Sequence, residues 1–387
     1  MAEIDRYFKL MVEHGASDLH LSTGCKPMFR KDGSILPLKN DEPLDSRRIK
    51  GLIYEIMPKS NEDEFNETSD TDFAYELDGA GRYRCNIFHD HKGIGGVFRL
   101  IPSEILTVQE LNLPKAVLNF CTLPKGLVLV TGPTGSGKST TLAAMIDHIN
   151  QTRADHIITI EDPIEFVHSN KRCLINQREV GSHTESFSSA LRAALREDPD
   201  IVLVGEMRDL ETTHIAIETA ETGHLVFGTL HTTTAIGTVD RLIDQFPAGQ
   251  QAQIRTMLAD ALKGVVAQTL IKKIGGGRVA AIEVLVVNQA IAALIREGKC
   301  SQMQSVMQTA KKEGMTLLNQ EFTRLVKEEI IDPQHAYEKA VDRPDLLRTF
   351  QAANVRFQPA DAETAAPTAP APEAAMARAV PAGPEDA

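Results

Sequence analysis

The stretch GPTGSGKST, residues 132–140, stands between the apolar run GLVLV and the segment TLAAMIDHIN. It restricts the fold of this chain more than any other feature. It fits the pattern G-x-x-x-x-G-K-[ST], in which glycines let backbone N–H groups converge on phosphate oxygens. Such a loop works only between a strand and a helix, because the helix offers its N-terminal donors and dipole to the bound anion. The apolar run before it and the helical segment after it meet that condition. Gly132, Pro133, Thr134, Gly135 and Ser136 are therefore expected to form the cradle, with Gly137, Lys138, Ser139 and Thr140 closing it. Lys138 would reach the β- and γ-phosphates of a nucleotide, and Ser139 would ligate Mg²⁺.

The rest of the second part of the chain has the rhythm that such a loop requires. GLVLV, HIITI, DIVLVG and HLVFGTL alternate with helical stretches, as in a parallel sheet with helices packed on it. Residues 250–268 and 288–340 read as mostly helical, and KKIGGGRV as a hairpin turn from which Arg278 could touch a nucleotide. Before this, Ile4, Phe8 and Met11 recur at helical spacing, in a helix ending near Gly15. DLHLS and PMFRKDGSILPL read as short strands with a turn at Asp32-Gly33, and DFAYEL, GRYRCNIFHD and GGVFRLIP as three more. The expected organisation is a small α+β domain over 1–100, a linker with a weak helix over 101–113, and an ATPase domain over 114–358. The Ala- and Pro-rich tail, 359–387, has too little apolar surface to offset its ordering entropy and is expected to be disordered.

Three further elements carry chemistry. LREDPDIVLVGEMRD places Glu206 at the tip of an apolar strand, where a carboxylate can hold the Mg²⁺ shell directly or through water. ITIEDPIEF sets Glu161, Asp162 and Glu165 at another strand end, where one of them could orient or deprotonate the attacking water. TGHLVFGTLHTTTAIGTVDRL puts His224 and His231 at the two ends of one strand, seven residues apart and on opposite faces, so they cannot share a metal. His231, beside Thr229 and Thr232, is placed to sense a γ-phosphate.

In chain order, the phosphate loop, ITIEDPIEF, GEMRD and TGHLVFGTLHT resemble the Walker A, Asp box, Walker B and His box of the hexameric secretion and pilus ATPases. The chain is most similar to the type IV pilus retraction motors, the PilT and PilU group; GASDLHLSTGCKPMFRKDG and DRLIDQFPAGQQAQIRTMLADALKGVVAQTL share in the likeness. The resemblance implies a RecA-like P-loop ATPase core preceded by a PAS-like α+β domain, with six subunits in a ring. It implies Glu165 as the catalytic carboxylate and Glu206 as the Walker B acid. His224 and His231 would couple nucleotide state to domain movement, and Arg84 and Arg99 would reach the phosphates from the N-terminal domain. One departure is AIAALIREGKC, where Ala292 and Ala293 stand in place of an expected Arg and Asn. Alanine keeps the helix but removes a polar effector surface.

The function so implied is a cytoplasmic motor at the inner-membrane face, splitting ATP to retract a type IV pilus. Its partners would be five further copies, a membrane platform protein and a paralogous retraction ATPase. An accessory ring acting with another motor and an extension or secretion ATPase are the alternatives. A net charge of −12, 5% aromatics and no tryptophan count against nucleic acid as partner. The five cysteines are scattered singly, which suggests neither zinc nor a disulfide framework. The charged N-terminus is not a secretory signal, and no run of ~18 apolar residues offers a membrane span.

Overall fold

The computed structural model describes residues 2–31, 34–101 and 104–359. Its N-terminal unit holds α1 (Asp5–His14), β1 (Asp18–Ser22), β2 (Met28–Lys31), β3 (Ser34–Pro37), α2 (Ser46–Tyr54), α3 (Lys59–Thr68), β4 (Asp70–Leu77), β5 (Gly81–Asp90) and β6 (Gly93–Ile101). Tyr7, Phe8 and Met11 form the buried stripe of α1, which Gly15 ends at a left-handed φ of 62°. The strands pair antiparallel in the order β3-β2-β1-β6-β5-β4. On β5, Tyr83, Cys85 and Ile87 enter the core, so Arg82 and Arg84 take the other face. The expected turn at Asp32-Gly33 lies outside the described residues, although Lys31 and Ser34 do pair.

The C-terminal unit begins with α4 (Lys115–Phe120), β7 (Gly126–Thr131), α5 (Lys138–Thr152), β8 (His156–Glu161) and β9 (Leu174–Glu179). It continues with α6 (Phe187–Ala194), β10 (Ile201–Val204), α7 (Leu210–Glu221), β11 (Leu225–Leu230), α8 (Ala235–Asp244), α9 (Gln251–Ala261), β12 (Leu262–Lys272) and β13 (Arg278–Val286). Five helices close it: α10 (Gln289–Arg296), α11 (Met303–Thr309), α12 (Leu318–Lys327), α13 (Pro333–Lys339) and α14 (Arg343–Ala352). The sheet order is β13-β12-β7-β11-β10-β8-β9, parallel except for β13. β7, β10 and β11 are buried along their whole length. Leu127 and Leu129 feed one core with α6 to α10, while Val128 and Val130 feed a second with α4 and α5. Two covered faces explain why these strands are unbroken apolar runs. This is the α/β architecture of a P-loop core with an added N-terminal unit.

Two expectations need correction. The helix expected through residue 268 stops at Ala261, and Leu262 begins β12, a strand held between β7 and β13. Pairing with partners remote in sequence outweighs local helical spacing there. The weak helix expected over 101–113 is also absent from the described residues. They form turns, with Val108 and Leu113 buried against the C-terminal unit. Residues 360–387 of the tail lie outside the described part. Among the described residues, no helix is long and apolar enough to cross a membrane.

Candidate nucleotide site

The loop between β7 and α5 is shaped by its glycines. Gly132, Gly135 and Gly137 sit at φ 146°, 75° and 90°, in a region that L side chains avoid. A Cβ on Gly132 would stand 2.2 Å from the Gln268 carbonyl oxygen, so this position has no room for one. Gln268 itself, from β12, donates to the Ser136 carbonyl at 2.7 Å and accepts from the Thr141 hydroxyl at 2.8 Å. It ties the phosphate loop to the sheet from both sides. Sequence reasoning missed it because it fell within the stretch read as helix.

Lys138 Nζ donates to the carbonyls of Gly132 and Pro133 at 2.9 and 3.3 Å. Burial draws its pKa below the ordinary lysine value, while the charges of Glu206 and Glu165 oppose that shift. A half-buried ammonium facing two carboxylates, with only carbonyls to bind, is suited to receive phosphate oxygens. Thr134, Gly135, Gly137, Ser139 and Thr140 line the same cleft of about 600 Å³, and so do Glu165, Glu206 and Arg278. Pro133 and Gly132 contribute through their carbonyls, and the Ser136 hydroxyl is buried without a partner.

The acidic groups divide by environment. Glu161, at the end of β8, accepts from the Thr159 hydroxyl at 2.6 Å and from Gln177 Nε2 at 3.2 Å. Burial pushes its pKa up despite these bonds. Glu165 is exposed to the cleft, and its own N–H points at Glu161 Oε2, 3.5 Å away. Glu206, just past β10, receives His231 Nε2 at 2.8 Å and an ion pair from Arg208. Burial would raise its pKa, but Arg208 and His231 outweigh that and hold it below the usual carboxylate range. Arg208 is a second residue that sequence reasoning did not assign, although it stands in the GEMRD element.

Between these elements lies a small cavity of about 40 Å³, where Ser139, Glu161 and Thr229 meet apolar groups such as Leu142, Phe166 and Leu203. Ser139 and Glu206 both line the larger cleft, and their hydroxyl and carboxylate oxygens fit a hard, hydrated cation such as Mg²⁺. Arg84 and Arg99 approach from the N-terminal unit and line the same cleft as Lys138. They are register partners across β5 and β6. Arg99 Nε donates to Asp18 at 2.8 Å, and Arg84 Nε lies 3.5 Å from Asp72.

His224 is the one expected site residue that the structure leaves far from this cleft. It precedes β11, where its carbonyl accepts from Gly126 N–H and its Nδ1 lies 3.1 Å from the Thr219 carbonyl. β11 then separates it from His231 by roughly 20 Å of extended chain. Within one subunit, His224 therefore has no access to a phosphate.

A model of the family described as "Type II/IV secretion system protein" matches residues 2–334. The type IV pilus retractation ATPase PilT of Pseudomonas aeruginosa is 53% identical over 338 residues, which cover 87% of this chain and 98% of that protein. The type IV pilus ATPase PilU of the same bacterium is 37% identical over 345 residues, covering 89% and 90%. The crystal structure of the pilus retraction motor PilT with bound ADP matches at a TM-score of 0.85 and 48% identity, over 90% of this chain and 99% of that one. This chain belongs to the type II/IV secretion system protein family.

Proposed function

We propose that the chain is a motor ATPase that hydrolyses ATP with Mg²⁺ to power type IV pilus retraction. The observation that carries this reading is the convergence of Lys138, Glu165, Glu206, Arg84 and Arg99 on one cleft beside the phosphate loop. The family membership and the identity to a pilus retraction ATPase support the task. Lys138 exchanges the loop carbonyls for β- and γ-phosphate oxygens. Glu165, exposed at the cleft, takes the proton of the attacking water. Arg84 and Arg99 stabilise charge on the transferring group and bring the N-terminal unit into the reaction. Ser139, with Glu206 acting through water, would hold Mg²⁺, which when bound neutralises phosphate charge. His231, bonded to Glu206, links that carboxylate to the strand end at Thr229 and Thr232.

The working assembly is a homohexamer at the cytoplasmic face of the inner membrane, acting on a platform protein and alongside a paralogous motor. Movement occurs between an N-terminal domain, 1–100, and an ATPase domain, 114–358. A second reading, an accessory ring dependent on another motor, draws on Ala292 and Ala293 in α10. The higher identity to PilT, 53% against 37% for PilU, favours the first. Steady-state ATP hydrolysis by the purified chain tests the chemistry: Glu165→Gln should abolish turnover while ADP still binds, and an unchanged rate removes Glu165 from its role. Gene deletion tests the task, with hyperpiliated, non-twitching cells expected and bald cells contradicting it.

A further inference from the structure

Arg82 lies two positions before Arg84 on the same face of β5, but it does not line the nucleotide cleft. It reaches the C-terminal unit instead. Its Nη2 donates to Glu179 Oε2 at 3.2 Å, across 97 residues of sequence. Glu179 ends β9 in register with Glu161 at the end of β8, and only 6% of it is exposed. The same Oε2 accepts the Ile164 N–H at 3.0 Å, while Oε1 accepts the Ser182 hydroxyl at 3.1 Å. Ile164 is buried and immediately precedes Glu165. The peptide that presents Glu165 thus hangs from two carboxylates. Glu161 is held within its own sheet by Thr159 and Gln177, whereas Glu179 is held from the other unit by Arg82.

A carboxylate buried to this degree needs its charge matched, and losing one member of a buried pair is costly. Without the guanidinium, Glu179 would keep two neutral donors and would lie beside the acidic group of Glu161 and Asp162. Its hold on the Ile164 peptide would then loosen, and Glu165 with it. We propose that Arg82 is a positioning residue for hydrolysis: through Glu179 and the Ile164 peptide, it makes the placement of Glu165 depend on where the N-terminal unit stands. The proposal rests on Glu165 being the catalytic carboxylate.

The test is a double-mutant cycle on the purified full chain, with Arg82→Ala, Glu179→Gln, the double variant and the conservative Arg82→Lys. All are assayed below their unfolding midpoints, with ADP affinity measured in parallel. Arg82→Ala should lower kcat about tenfold while KM for ATP and ADP affinity stay within about twofold. Glu179→Gln should do the same, the double variant should fall no further than the worse single one, and Arg82→Lys should keep part of the rate. Losses that multiply in the double variant, or a KM that rises in step with the fall in kcat, would mean that Arg82 serves the phosphates directly. Either result overturns the proposal, as does an unchanged kcat. If Arg82→Ala does not fold, Arg82→Lys and Glu179→Gln carry the same comparison. Glu165→Gln, run alongside, separates the two readings. A surviving rate there removes the catalytic assignment, whereas a dead Glu165→Gln with multiplying losses removes the latch alone.

Discussion

Arg84 and Arg99 face each other across β5 and β6, and like charges at that spacing destabilise a sheet unless something negative offsets them. Each has an acid beside it, but the two acids differ. Asp18, the partner of Arg99, has a side chain only 3% exposed, whereas that of Asp72, beside Arg84, is 53% exposed. The pair also opens toward the phosphate loop, so a nucleotide would supply the remaining negative charge. Replacing either arginine by Gln is expected to lower kcat by about 10²-fold, the usual cost of losing a donor aimed at developing charge. Only Arg99→Gln should also lower stability, by about 1 to 3 kcal/mol, because it strips a charged donor from a buried carboxylate. Steady-state hydrolysis and thermal unfolding of both variants check this. Equal unfolding midpoints would show that Asp18 does not depend on Arg99, and rates within twofold of wild type would remove both residues from the phosphates.

Among the elements, β12 has the widest consequences for the site. Its Gln268 bonds the Ser136 carbonyl and the Thr141 hydroxyl, so one side chain holds the loop and the first turn of α5 together. Gln268→Leu fills a similar volume but leaves both groups buried and unpaired. The expected cost is about 1 to 3 kcal/mol for each. ADP affinity should fall about tenfold as the loop loses its fixed shape, a loss of about 1.4 kcal/mol of binding. Calorimetric titration with ADP and the unfolding midpoint measure the two effects, and an unchanged affinity would show that the glycines alone shape the loop. That strand was not legible beforehand, since ALKGVVAQTL satisfies helical spacing and its register comes from β7 and β13. β7, β8, β10 and β11 were legible because strands covered on both faces need uninterrupted apolar side chains. The phosphate loop and the acidic strand ends could be read for the same reason, as short motifs attached to those strands. Gln268 and the Arg82–Glu179 bridge could not, because each acts through a partner that only the folded chain brings near; Arg208 pairs with Glu206 two residues away, but the motif alone gave its side chain no task.

Acid should weaken the whole fold through a histidine near the site. His168 follows the Glu165 loop, its N–H donating to Gln177 at 2.7 Å and its ring lining the small cavity with Ser139 and Phe166. Burial pulls its pKa down to about 4; Asp147 opposes this and Lys171 adds to it. Its Nδ1 is buried with no partner. In the unfolded chain a histidine titrates near ~6.5, so between that value and about 4 the unfolded state binds the extra proton. The neutral ring therefore contributes stability above pH ~6.5 that is lost as the pH falls toward 4, up to about 3 kcal/mol. Glu161 and Glu283 have the opposite sign, because burial raises their pKa and their contribution is lost as the pH rises. A net slope measured on wild type alone would mix these effects. The variant His168→Leu removes one of them, and with it an unpaired buried nitrogen. At pH 7 it should be at least as stable as wild type, and its advantage should widen steadily as the buffer is taken from pH 6.5 to 4.5. Urea unfolding midpoints across that range decide it: parallel curves for the two proteins would show that His168 is not where the fold meets acid.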